Sequence, residues 1–80
     1  MPHQVIERGH NANFGAGIVK GDLQVNGVGA HYTIAIGGAA PAAHLIAQGS
    51  VDTYHINGRT VSVVNTSPAG GGAPNLTINW

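Results

Sequence analysis

Five histidines (His3, His10, His31, His44 and His55) stand in a chain that carries three acids and three bases. That many imidazoles invite a metal or acid–base reading. No two of them have a ligand spacing such as i, i+4 on a helix or a finger-like pair, so no metal site and no cofactor is assigned. The best constellation is Asp22 with His31, which oppose each other if residues 17–36 form a hairpin. A carboxylate there could orient an imidazole as base or ligand. It also reads as a cross-strand polar contact worth roughly 0.2–1 kcal/mol, and that plainer reading is adopted.

Ser62, His55 and Asp52 can be written as a nucleophile, base and orienter. Their register speaks against it, because Ser62 and His55 share a polar face while Asp52 projects to the other. The serine lacks the strained turn and the oxyanion-binding glycine loop that acyl transfer needs. No catalytic residue is assigned, and the chain reads as a non-enzyme. Gly70-Gly71-Gly72 has no lysine and no spaced-glycine pattern, so it is a linker rather than a phosphate loop. Asn65-Thr66-Ser67 and Asn75-Leu76-Thr77 match the glycosylation acceptor pattern.

What remains for binding is neutral and polar. Thr53, His55, Thr60 and Ser62 fall on one face of a hairpin, and Asn79 and Trp80 lie on a final strand. Trp80 is the single tryptophan. It reads either as a core residue or as a ring that stacks on a sugar while amides bind hydroxyls.

Two Asn-Gly dipeptides set the elements that position these side chains. Asn26-Gly27 and Asn57-Gly58 each separate runs of alternating apolar and polar residues, a strong signal for a two-residue turn with φ > 0 at both positions. Around Asn57-Gly58 the register places Ile56, Tyr54, Val61 and Val63 on one face. Around Asn26-Gly27 it places Val25, Val28, Leu23, Ala30, Tyr32, Val19 and Ile34 together. The chain is therefore expected to be mainly β, a small antiparallel sheet or sandwich in one domain spanning residues 1–80. Its parts are a hairpin at 17–36, a hairpin at 50–66, a flexible linker at 67–74 and a terminal strand at 75–80. Gln4–Glu7 reads as a short strand and residues 10–17 as a loop anchored by Phe14. Residues 41–48 fit two readings. Pro41 at the start and Gly49 past the end suggest a short helix, while Ala43-His44-Leu45-Ile46-Ala47 echoes Ala30–Ala35 as a strand.

Composition narrows the function classes. Charged residues make up 8% of the chain against about 25% in typical domains, and the net charge is zero. Three scattered bases cannot neutralise a phosphate backbone, so nucleic acid is not an expected partner. No stretch is long and apolar enough for a transmembrane helix, and the opening residues have no signal-peptide pattern. There is no cysteine to staple a small core. Low charge, little edge protection and a strand tethered by a linker reaching roughly 16 Å favour association. The expected function is a structural subunit that assembles with copies of itself into an oligomer, fibre or particle, with strand exchange through residues 75–80. The alternative is a small lectin-like carbohydrate-binding module using the polar hairpin face or Trp80. Composition suggests an extracellular, cell-surface or particle component.

Overall fold

A computed structural model describes residues 2–27, 29–46, 51–67 and 75–80. Alternation gives each strand one dry side, and the chain forms eight strands: β1 (His3–Ile6), β2 (Asn11–Phe14), β3 (Asp22–Asn26), β4 (His31–Ile36), β5 (Ala42–Leu45), β6 (Asp52–His55), β7 (Val61–Asn65) and β8 (Leu76–Asn79). They build two four-stranded sheets, all of whose pairs are antiparallel. The first has the order β1-β8-β3-β6 and the second β2-β7-β4-β5. The architecture is the mainly β sandwich read from the sequence.

The dry sides meet between the sheets. Ile6, Leu23, Val25, Leu76 and Ile78 come from the first sheet; Ala12, Phe14, Tyr32, Ile34, Val61 and Val63 come from the second, and all are buried. Val19, Ala30, Ile46 and Ile56, which lie outside the strands, close the ends of this core. Asn65 is its polar pin. It is 1% exposed, its Nδ2 donates to the Ile6 carbonyl at 2.8 Å, and its Oδ1 accepts the Ser67 amide at 3.0 Å.

The strand partners differ from the expected hairpins. Asn57 and Gly58 take φ of 51° and 80°, and the Arg59 amide donates to the Ile56 carbonyl at 3.1 Å, so the left-handed turn forms. The strands leaving it diverge: β6 pairs with β3, and β7 pairs with β2 and β4. At the other dipeptide β3 pairs with β6 and β8, leaving neither of its edges for β4. Its turn is closed two residues later, where the Ala30 amide donates to the Gly27 carbonyl at 3.0 Å and Gly29 takes φ of 75°. Every connection but β4–β5 crosses between sheets, and β4–β5 is the hairpin of the fold. The physical reason is economy of dry surface. A flat hairpin leaves its apolar face in need of a cover, whereas an arch across the sandwich makes each strand the cover of the other. Both arrangements bury the same alternate residues, so the predicted dry side holds for the described residues, with Tyr54 half-buried, although the pairing does not.

One open reading is decided and one expectation corrected. Residues 42–45 are a strand rather than a helix, because so short a segment gains little from an isolated helical turn, and the open flank of β4 offers it a ladder. Residues 11–14 are strand β2 rather than loop, with Ala12 and Phe14 inward and Asn11 and Asn13 outward. Of the expected linker at 67–74, residues 68–74 lie outside the described residues, as does Val28. Strand β8 sits in the interior of the first sheet, between β1 and β3.

Candidate functional site

The densest chemistry lies at one open edge of the sandwich, where β5 and β6 are the outer strands of their sheets. The inward side of β6 carries Asp52 and Tyr54, opposite Val25 and Leu23 of β3. The inward side of β5 carries His44, opposite Tyr32 of β4. Tyr32 is fully buried, and its hydroxyl donates to Asp52 Oδ2 at 2.5 Å. With its one O–H directed to Asp52, its oxygen accepts the Tyr54 hydroxyl, also at 2.5 Å. His44 stacks on Tyr32 with centroids 5.4 Å apart and meets Tyr54 edge-on at 5.9 Å.

Burial pushes the Tyr32 phenol well above its ordinary range, and the bonds to Asp52 and Tyr54 push the same way. Tyr54 is raised as well, chiefly by burial. Both phenols are therefore held protonated, which makes them donors rather than bases. The arrangement links the two sheets by a hydrogen-bonded chain, and it places the Asp52 carboxylate inward on the edge strand β6, a device that discourages unwanted pairing along that strand.

The expected site residues are placed in three groups. Thr53 and Asn79 both flank Gln24 in the ladder of the first sheet, so the row His3, Asn79, Gln24, Thr53 runs across its outer face. His55 lies on the same face, opposite Asp22, with Nδ1 2.8 Å from Asp22 Oδ1. Asp22 thus finds an imidazole, but that of His55 and not of His31, which lies in the other sheet opposite Leu45. The pair is open to solvent, with side chains 77% and 52% exposed. Ser62 belongs to the second sheet, where its hydroxyl donates to Asn13 Oδ1 at 2.5 Å. The single polar face expected from Thr53, His55, Thr60 and Ser62 is therefore split between two sheets, because the turn between them is an arch. The same split keeps Ser62 away from His55 and Asp52. Trp80 is half-buried and packs edge-on against Phe14, with centroids 4.7 Å apart.

Thr60 and Ser62 line a feature that the sequence did not suggest, an open groove of about 230 Å³ at one end of the second sheet, bounded also by Asn13, Phe14, Ala35, Gly38 and Val61. Its residues come from β2, β4, β7 and the turns beside them, so no spacing along the chain could reveal it. The tyrosine–aspartate cluster did leave a signal. Alternation places Asp52 on the dry side beside Tyr54, and an inward acid needs a donor. Among the described residues no group of three or more metal-ligating side chains comes together, and no helix is long and apolar enough to cross a membrane.

The fold and these sites define a small antiparallel β-sandwich. No family model matches the chain, and neither curated proteins nor solved structures give a match.

Proposed function

We propose that this chain is a non-enzymatic structural subunit that assembles with copies of itself, and that β5 is the joining edge. The observation that carries the reading is the state of Ala42–Leu45. All four residues are exposed, none is Asp, Glu, Lys or Arg, and β4 occupies only one flank of the strand. Leu45 is 58% exposed and Val51, a few residues on, is 52% exposed. An edge with free amides and carbonyls and no lysine is a template for another strand. Zero net charge means that copies do not repel one another. Two β5 strands related by a two-fold axis would continue the second sheet from one copy into the next, with small side chains at the join.

Exchange of residues 75–80 between copies is the competing route. Leu76 and Ile78 are fully buried between β1 and β3 of their own chain. A swap must first open that sheet, whereas edge pairing leaves every existing contact in place. Amide hydrogen exchange tests the choice. Edge pairing predicts protection of the Ala43 and Leu45 amides, which face the open flank, that grows with protein concentration while β8 stays protected throughout. Concentration-dependent protection confined to β8 would support exchange instead.

A further inference from the structure

We propose that the groove at the end of the second sheet binds a single neutral pyranose ring. Its lining is mostly apolar, and Ala35 lies beside Ser62 and Asn13 in one row across the outer face of the second sheet. Its rim is built from hydrogen-bonding groups without charge: Asn13, Ser62 and Thr60. Ser62 donates to Asn13 Oδ1 at 2.5 Å, which fixes the amide and turns its carbonyl inward to the hydroxyl. The Asn13 NH2 group is left to donate, and the Ser62 oxygen keeps lone pairs to accept. Thr60 is exposed and can do either. Donors and acceptors beside apolar surface match a ring that has hydroxyls on its rim and C–H groups on its face.

Charge and size narrow the ligand. No lining residue is ionisable. The adjacent Arg59 is committed elsewhere: its Nε donates to the Ile56 carbonyl at 3.0 Å, its terminal nitrogen donates to the His55 carbonyl, and its methylenes pack on Gly37. A phosphate or carboxylate would find no counter-charge, and a cation would find no carboxylate. The volume of about 230 Å³ falls below the roughly 300–1,000 Å³ of sites for drug-sized molecules and suits the seating of one ring.

The test uses a built-in reporter. Trp80, the single tryptophan, packs on Phe14, which also lines the groove. Neutral monosaccharides (glucose, galactose, mannose, N-acetylglucosamine) are titrated while Trp80 emission and amide chemical shifts are followed. The expected result is a saturable response to at least one of them, with shifts centred on Asn13, Thr60 and Ser62. Asn13→Ala and Ser62→Ala, both on the surface, should weaken binding about tenfold or more, while Thr53→Ala on the other sheet leaves it unchanged. Repeating the titration on Leu45→Lys separates sugar binding from self-association. The absence of a saturable response to any of the four sugars overturns the proposal. So do shifts that map to Gln24 and Thr53 rather than to the groove.

Discussion

The hydroxyl of Tyr32 in one sheet donates to Asp52 in the other at 2.5 Å, so a fully buried ring on β4 holds a carboxylate on the edge strand β6. Tyr54 extends the chain by donating to Tyr32. At the far side of the sandwich Asn65 on β7 reaches the Ile6 carbonyl on β1. The two sheets are thus tied by polar contacts near opposite edges, with the apolar layer between them. Where β5 and β6 end their sheets, the first of these ties keeps the core closed while leaving the outer flank of β5 open.

Replacing Tyr32 by Phe keeps the ring and removes the tie. Asp52 and Tyr54 then lose their protein partner, at a cost of about 1–3 kcal/mol. Because both are half-buried and water can reach them, the loss is expected toward the lower end of that range. Denaturant unfolding of Tyr32→Phe measures it, and an unchanged midpoint would remove the tie from the account.

The two phenols also set an alkaline limit. Their folded pKa values lie above the unfolded value of about 10, so above that pH the unfolded chain gives up protons that the folded chain keeps. Their contribution is complete below pH about 10 and is lost as pH rises beyond it. The chain has two tyrosines, and both are in this cluster. Tyrosinate absorbance should therefore appear together with unfolding as one cooperative step. A gradual rise near pH 10 with the fold intact would contradict the buried geometry.

Gly27 and Gly58 both have positive φ, but only one is crowded. A β-carbon on Gly27 would sit 2.6 Å from the Asn75 carbonyl oxygen and 3.3 Å from Leu76 Cα, while one on Gly58 meets nothing within 4 Å. Gly58→Ala is expected to cost about 1–2 kcal/mol for its left-handed backbone alone. Gly27→Ala should cost clearly more, since it must displace the entry to β8. Thermal melts of the two variants check the order, and equal melting temperatures would mean that β8 does not pass so close.

Asp22 and His55 make an exposed pair, whose worth in water is small. Asp22→Asn should change stability by less than about 1 kcal/mol. A larger loss in denaturant unfolding would show that the outer face of the first sheet does more than meet solvent.

How far the sequence could be read is clearest at its turns. Asn57 and Gly58 specify their own φ values, and alternation specifies which side of each strand is dry; both are local properties, and both are right. Which strand lies beside which is not local. The inward residues Leu23, Val25, Tyr32 and Ile34 are the same whether β3 and β4 lie side by side or face to face, so pattern alone cannot choose. The choice followed from the edges of β3 being taken by β6 and β8, strands that begin 30 and 54 positions after Asp22. The candidate binding residues were divided for the same reason. Thr53 and Asn79 converge through Gln24, while Ser62 departs to join Asn13. β2 was missed because alanine and asparagine favour strands weakly, although Asn11–Phe14 alternates.

The central claim is assembly through β5, and solution mass tests it most directly. Light scattering across a concentration series is run on the untagged chain and on Leu45→Lys, which puts a charge on the open edge without touching the core. The account predicts that the chain passes from 8.1 kDa to discrete multiples as concentration rises, and that Leu45→Lys stays monomeric with an unchanged fold. A parent chain that stays monomeric at every concentration, or a variant that assembles as readily as the parent, would contradict it.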